Sequence, residues 1–266
     1  MIQEKLLSDL NLNDKRVIVK VKELDLKVGK KHILQNINFE VGEGDTLVLM
    51  GKNGCGKTML LKTIVGLFYP QQGESILFGQ NIYELKGVEL ENLKKNIGYV
   101  FQKSGLFDSL TVAENVIFAL RRFSDLDESE LLRRATECLN KSGLKDVEQK
   151  MPSELSGGMQ KRAAIARAIA MNPKLLLLDD PTAGLDPVLS DAIADLILDL
   201  RDELKTTSIV ITHDKKVARK LATKIALMIS GKIHTILPAE EFFTTSDPAV
   251  EQFRDGKLEG PIPVVE

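Results

Sequence analysis

Gly51-Lys52-Asn53-Gly54-Cys55-Gly56-Lys57-Thr58 is the stretch that decides the fold, because it fits the phosphate-binding pattern G-x-x-x-x-G-K-[ST]. It lies between a predicted strand at residues 46–50 and a predicted helix that begins at Thr58. Glycines let successive backbone N–H groups curl around phosphate oxygens, and the helix N-terminus offers partial positive charge to the same anion. Lys57 adds a full charge, and the Thr58 hydroxyl can bind Mg²⁺. The stretch predicts a nucleoside triphosphate site.

The rest of the chain predicts an α/β fold. From residue 174 onward, apolar strands at 175–179, 208–212 and 225–229 alternate with helical patterns, which indicates a parallel sheet wrapped by helices. The middle of the chain reads as helical: a capping box at Thr111 and Glu114 opens one helix, residues 128–142 form a second, and a third begins at Ser156.

Composition narrows the classes of protein that fit. The chain has 266 residues, 43% of them hydrophobic, which suits a single large α/β unit with a real core. Its 36 basic and 38 acidic residues leave no basic excess, so nucleic acid is not expected as a partner. The N-terminus has no apolar segment of a secretory signal, and no apolar run reaches the ~20 residues that span a bilayer. Two distant cysteines favour a reducing compartment. We expect a soluble chain.

A second candidate site element is the acidic end of the strand at 175–179. The apolar run ends in Asp179 and Asp180, and a buried strand of this kind delivers carboxylates to the sheet edge where ligands bind. Asp179 would hold Mg²⁺, and Asp180 would orient or deprotonate an attacking water. Two acids after an apolar strand are often only a polar loop, but beside a phosphate-binding loop the site interpretation is favoured.

The third element is Leu155-Ser156-Gly157-Gly158-Met159-Gln160, in which Ser156 is a natural N-cap and the two glycines leave backbone N–H groups bare. With residues 51–58 before it and the acidic strand after it, the chain from about 17 to 237 resembles the ATP-binding subunits of ABC transporters. The resemblance implies a P-loop NTPase (RecA-like) core, an antiparallel β subdomain and an α-helical signature subdomain at about 103–165. Residues 1–16 would be an N-terminal arm.

The resemblance also assigns roles. Gln102 matches the Q-loop glutamine, residues 183–186 match the D-loop, and His213 matches the switch histidine that contacts the γ-phosphate. ATP and Mg²⁺ are the implied cofactors, and the signature of one subunit would cap ATP held by another in a homodimer. The implied catalytic residues are Asp180, His213 and Gln102; the implied metal ligands are Thr58, Gln102 and Asp179; the implied nucleotide contacts are Gly51, Lys52, Asn53, Gly54, Cys55, Gly56, Lys57, Thr58, Met59, Ser156, Gly157 and Gly158.

The tail at 238–266 narrows the subfamily. Its Asp247-Pro248-Ala249-Val250, Gln252-Phe253 and Gly260-Pro261 are similar to the C-terminal extension of the Mla-type ATPases, which energise MCE-family lipid transport. The resemblance implies that the tail packs on the partner ATPase subunit. It also implies an integral membrane permease, an MCE-domain protein and a small STAS-type cytoplasmic subunit as partners, at the cytoplasmic face of the inner membrane.

Three positions depart from the family pattern. Asp180 stands where most relatives have Glu, which sets the carboxylate back by about 1.5 Å and predicts slow but not abolished hydrolysis. Val28 replaces an adenine-stacking aromatic, which predicts weak selection against GTP. Met59 replaces a Ser or Thr at the α-phosphate, at a cost of about 1 kcal/mol.

Other functions stay open at this point. The chain could serve an ABC transporter for another small solute, because only the tail argues for lipid. It could be a soluble ABC ATPase of DNA repair or translation, although it has one cassette and no room for a coiled coil between Lys57 and Ser156. It could also bind nucleotide without hydrolysing it, because of Asp180.

Overall fold

The structure is a computed structural model that describes residues 15–263; residues 1–14 of the expected arm and residues 264–266 of the tail lie outside that range. The strands are β1 Val17–Val28, β2 Lys31–Gly42, β3 Thr46–Met50, β4 Gln72–Leu77, β5 Gln80–Asn81, β6 Ile97–Val100, β7 Leu175–Asp179, β8 Thr207–Ile211, β9 Lys224–Ile229 and β10 Lys232–Pro238. The helices are α1 Lys57–Ile64, α2 Gly87–Lys94, α3 Val112–Phe123, α4 Glu128–Lys141, α5 Gly157–Ile169, α6 Pro187–Leu204, α7 Lys215–Leu221, α8 Ala239–Thr244 and α9 Pro248–Asp255.

The larger sheet has the order β10-β9-β3-β8-β7-β6, with every neighbouring pair parallel except the edge pair β9 and β10. Its central strands are buried on both faces. Because side chains alternate along a strand, Leu175 and Leu177 of β7 enter one core while Leu176 and Leu178 enter the other. The predicted parallel sheet between helices is confirmed, and its five parallel strands, β9, β3, β8, β7 and β6, point their carboxyl ends at one edge.

The smaller sheet is antiparallel and has the order β2-β1-β4-β5. Val19 and Val21 of β1 are buried against α1 and one face of the larger sheet. This sheet is the antiparallel β part of the fold, and it brings β2 alongside the loop that precedes α1.

A layer of helices, α3 to α5, covers the other face of the larger sheet near β6. The predicted capping box opens α3: Thr111 Oγ1 accepts from Glu114 N at 3.2 Å, and Glu114 Oε2 accepts from Thr111 N at 2.8 Å. Ser156 caps α5 by accepting from Met159 N at 3.3 Å. The N-caps predicted at Thr111 and Ser156 are therefore confirmed.

The tail is ordered, because residues 239–255 form α8 and α9. These helices have six and eight residues, too short to display several helical repeats in the sequence. Phe242 and Val250 are nevertheless buried in the same core as α3 to α7. The side chain of Gln252 fixes the segment that follows α9. It donates to Ile262 O at 3.0 Å and accepts from Ile262 N at 2.7 Å. The tail thus packs on its own chain; packing on a partner subunit stays a prediction.

No helix within residues 15–263 is both long and apolar enough to cross a membrane.

Candidate functional site

A cavity of about 400 Å³ lies at the carboxyl edge of the larger sheet, where the segments after β3, β6, β7 and β8 meet. Parallel strands bring residues far apart in sequence to one edge, which is why predicted residues from four segments face the same space. The cavity is lined by Ile33, Asn53, Gly54, Gly56, Lys57, Thr58, Met59, Gln102, Asp179, Asp180, Ile211 and His213.

The loop between β3 and α1 needs glycine at two places. Gly51 has a φ of 149°, and a Cβ there would lie 2.2 Å from Met228 O. Gly56 has a φ of 108°, and a Cβ there would lie 3.0 Å from Ile33 O. The loop is therefore pressed between β9 and β2, and only glycine allows both its dihedrals and its close approach. This packing holds the backbone N–H groups of the loop around a space suited to phosphate.

Lys57 is buried, and its ammonium lies inside the curve of the loop. Its Nζ donates to Gly51 O at 2.7 Å and to Lys52 O at 2.8 Å. Burial lowers the pKa of Lys57, because the charged form is held away from water. A cation already desolvated and fixed beside the cavity is well placed to attract the phosphates of a nucleotide.

Thr58 and Asp179 meet across the cavity floor. The Thr58 hydroxyl donates to Asp179 Oδ1 at 3.0 Å, which joins the start of α1 to the end of β7. Both groups are hard oxygen ligands of the kind that Mg²⁺ prefers, and Mg²⁺ is usually held by few protein ligands with water and phosphate completing its shell. Within residues 15–263 no cluster of three or more His, Cys, Asp or Glu side chains could hold a metal alone. The pair fits a magnesium ion that arrives with a nucleotide.

Asp180 follows β7 with a φ of 49°, a left-handed conformation that Asp tolerates better than most residues. Its backbone N–H donates to Ile211 O at 3.0 Å, which ties it to β8. Asp180 Oδ2 lies 3.9 Å from His213 Nε2. The turn therefore aims the carboxylate of Asp180 toward the residue that follows β8.

Burial controls the charges of these acids. It raises the pKa of Asp179 and of Asp180 above the usual range for Asp, although nearby cations, including Lys57 and Lys161, oppose the effect. It lowers the pKa of His213, which favours the neutral imidazole. Raised carboxyl pKa values beside a desolvated lysine are typical of sites that bind and transfer charged groups.

The signature segment lies outside the cavity. Ser156 and Gly157 are exposed at the start of α5, and a Cβ at Gly157 would meet nothing within 4 Å. The first N–H groups of the helix are thus open to a ligand from another molecule. Lys52 and Cys55 line a separate cavity behind the loop, where Lys52 Nζ donates to Pro263 O at 2.5 Å. The structure therefore assembles most predicted site residues, but not the signature.

Three residues near the site were missed by sequence reasoning. Ile33 of β2 and Ile211 of β8 line the cavity, and no motif singled them out. Lys161 lies in α5 and donates to Gln102 O, so a residue of the signature helix contacts the cavity rim. A lysine inside an otherwise alanine-rich helix was a signal that could have drawn attention to it.

Comparison with known proteins agrees with this geometry. A family model described as "ABC transporter" matches residues 34–183, which is more than half of the chain. A solved structure, the dimeric post-hydrolysis state of the ATP-binding cassette MJ0796 bound to ADP and Pi, superposes with a TM-score of 0.78 at 34% identity. It covers 84% of this chain and 99% of its own. The fold is therefore that of an ABC ATPase cassette.

Two curated relatives differ in what they transport. The intermembrane phospholipid transport system ATP-binding protein MlaF of Haemophilus influenzae is 37% identical, over 92% of this chain and 93% of its own length. The arginine transport ATP-binding protein ArtP of the same organism is 38% identical, over 89% of this chain and 97% of its own. Identity alone does not separate these two kinds of cargo.

Proposed function

The chain belongs to the ABC transporter family as an ATP-hydrolysing cassette, and we propose that it energises the transport of phospholipid between membranes. The observation that carries this proposal is the match to the intermembrane phospholipid transport protein across nearly the whole length of both chains. The ordered tail supports it, because residues 239–263 form a specific structure at the region where the sequence resembles the Mla-type extension.

The roles of the site residues follow from their chemistry. Lys57 and the backbone N–H groups of residues 51–58 bind the phosphates. In this proposal Asp180 accepts a hydrogen bond from the attacking water and orients it, and His213 contacts the γ-phosphate. Thr58, Asp179 and Gln102 would hold Mg²⁺, which when bound neutralises charge on the β- and γ-phosphates. Met59 lines the cavity and would offer the α-phosphate no hydroxyl.

Two copies of the chain complete each site. The helix N-terminus at Ser156, Gly157 and Gly158 does not line the cavity of its own chain, and in this proposal it serves the nucleotide held by the other copy. The dimeric form of the related cassette supports this arrangement. The same proposal gives the complex an integral membrane permease, an MCE-domain protein and a small STAS-type subunit, with the ATPase on the cytoplasmic face of the inner membrane.

A transporter for a small solute is the second candidate. The match to the arginine transport protein supports it, because that match has nearly the same identity and coverage as the phospholipid match. The ATPase chemistry would be unchanged, because the cassette does not contact the cargo.

Purification of the complex from its native membrane in mild detergent, followed by mass spectrometry of proteins and lipids, separates the candidates. The proposal expects a multi-span permease, an MCE-domain protein and bound phospholipid. A permease accompanied by a solute-binding protein would replace the phospholipid assignment with the second candidate. A preparation with no membrane partner would contradict both.

A further inference from the structure

Two cationic side chains of helix α5 donate hydrogen bonds to the backbone of the Q-loop segment, residues 102–105. Lys161 Nζ donates to Gln102 O. Arg167 donates from Nη2 to Ser104 O at 2.9 Å and from Nη1 to Gly105 O at 2.5 Å. Three of the four carbonyls in this segment are therefore held by the helix that begins at the signature.

The Lys161 side chain is buried and its contact with Gln102 O is partly buried, so this contact carries more weight than a surface hydrogen bond. Lys161 is 7% exposed, and burial lowers the pKa of its ammonium. Removing a lysine from water is costly unless its charge is compensated. The carbonyl of Gln102 and the nearby carboxylates of Asp180 and Asp179 supply that compensation. A side chain that only covered the helix surface would place its ammonium in solvent instead.

The two side chains that contact the Q-loop segment are spaced along the helix. Lys161 and Arg167 are separated by nearly two turns, about 9 Å along the axis. Between their targets the chain makes a tight turn, in which Ser104 N–H donates to Phe101 O at 3.0 Å and Ser104 has a φ of 57°. Two anchors on one rigid helix fix both the position and the direction of this turn, which a single contact would leave free to pivot.

We propose that Lys161 is a positioning residue that ties the Q-loop to the signature helix, so that Gln102 follows the movement of α5. The inference rests on the proposed role of Gln102 at the nucleotide. Because the start of α5 would contact ATP on the other subunit, the clamp makes the placement of Gln102 depend on whether that contact has formed. Lys161 does not touch substrate; it acts through the main chain of Gln102.

Arg162 provides a matched comparison on the same helix. Its Nη1 donates to Ser142 O at 3.1 Å, within the helical layer and away from the Q-loop segment. Loss of this cation removes a hydrogen bond made by the same helix without releasing residues 102–105. The variant R162M therefore separates the general loss of a cation on α5 from the loss of the clamp.

The test uses the full chain with the variants K161M, K161R and R162M. Hydrogen exchange of the Ser104 and Gly105 amides in the nucleotide-free protein reports on the Q-loop turn. Steady-state kinetics and a fluorescent ATP analogue give kcat and the nucleotide Kd. We expect K161M to speed exchange of these amides and lower kcat, each by about ten-fold or more, because a charged hydrogen bond is lost. The Kd should change by less than about two-fold, since the phosphate contacts remain.

Arginine at 161 can still donate to the carbonyl of Gln102. We therefore expect K161R to keep at least half of the wild-type kcat and to exchange the Ser104 and Gly105 amides more slowly than K161M does. We expect R162M to exchange these amides at the wild-type rate.

Unchanged amide exchange or unchanged kcat in K161M would overturn the proposal. So would equal losses of kcat and affinity, or the same exchange effect in R162M. If K161M does not fold, K161L, which also lacks a donor for the carbonyl of Gln102, takes its place with the same criteria. A wild-type chain without ATPase activity would refute the proposed function, while the exchange result would still decide whether the clamp exists.

Discussion

His213 Nε2 lies 3.9 Å from Asp180 Oδ2, so the two residues face each other across the cavity without a direct hydrogen bond. Asp180 is fixed by the end of β7, and His213 follows β8, its neighbour in the sheet. The polar atoms of both remain available to a ligand between them. This separation is set by the strand ends, and under the role proposed for Asp180 it makes the length of that side chain decisive for catalysis.

Lengthening that side chain should increase the rate of hydrolysis. In D180E the carboxylate reaches about 1.5 Å further toward the water it orients. We expect kcat for ATP hydrolysis to rise several-fold, with little change in the ATP Kd. The left-handed φ of 49° suits Glu less well than Asp, so a stability loss of about 1 kcal/mol should accompany the gain. Steady-state phosphate release measures the rate, and a kcat below that of the wild type would count against the role of Asp180.

Removing the charge of Asp180 should stabilise the nucleotide-free protein. Burial raises the pKa of this carboxyl, so its ionised form opposes folding at neutral pH. The variant D180N keeps the shape without the charge, and we expect its free energy of unfolding at pH 7.5 to exceed that of the wild type by about 1 kcal/mol. Urea unfolding measures the difference.

The direction of the pKa shift of Asp180 determines how the stability gain of D180N depends on pH. The folded-state pKa lies above 3.8, the ordinary value for Asp, so the penalty is complete above the folded-state pKa and disappears as pH falls toward 3.8. The advantage of D180N should therefore shrink on acidification. A gain that stayed constant from pH 8 down to pH 3.8, or no gain at any pH, would show that the buried charge does not oppose folding.

Nucleotide selectivity should be weak because an aromatic is missing at the end of β1. Val28 is 47% exposed, and the neighbouring wall of the cavity is the aliphatic Ile33. Neither side chain can stack strongly on a purine or read its hydrogen-bonding edge. We expect GTP to displace a fluorescent ATP analogue with a Kd within about five-fold of that of ATP. The variant V28Y should tighten ATP binding several-fold, and strong ATP selectivity in the wild type would refute this account.

The tail should behave as part of the core. Phe242 is 1% exposed among residues of the helical layer, so F242A should lower the free energy of unfolding by about 3–5 kcal/mol. The adjacent Phe243 is only partly buried and stacks on Arg219 at 4.2 Å, so F243A is the matched control with a smaller loss. Equal small effects of both variants in urea unfolding would mean that the tail is not anchored.

The strands, helix caps and cavity were largely predictable from the sequence, because their signals are local. Residues 51–58 and the acidic end of β7 can be identified from their residue types and order. Thr111 and Ser156 are N-cap residue types, and they cap the helices that follow them. The parallel sheet follows from the alternation of elements, and it alone predicts that Asp179 and His213 share an edge.

The remaining features depend on long-range packing. Helices α8 and α9 are too short to show a period, and they form because Phe242 and Val250 find a core built by distant segments. The contact between Lys161 and Gln102 O joins a helix to a turn 59 residues earlier, and a backbone acceptor leaves no trace in the sequence. Ile33 reaches the cavity only because β2 runs beside the phosphate-binding loop.

The most direct test of the central claim compares phosphate release from the wild-type complex, purified from its native membrane, with release from the same complex carrying D180N. If the cavity hydrolyses ATP as proposed, the wild type turns over, while D180N binds ATP with a Kd within about two-fold of wild type and releases phosphate at least about 100-fold more slowly. Equal rates in the two complexes, or no ATP binding by either, would contradict the account.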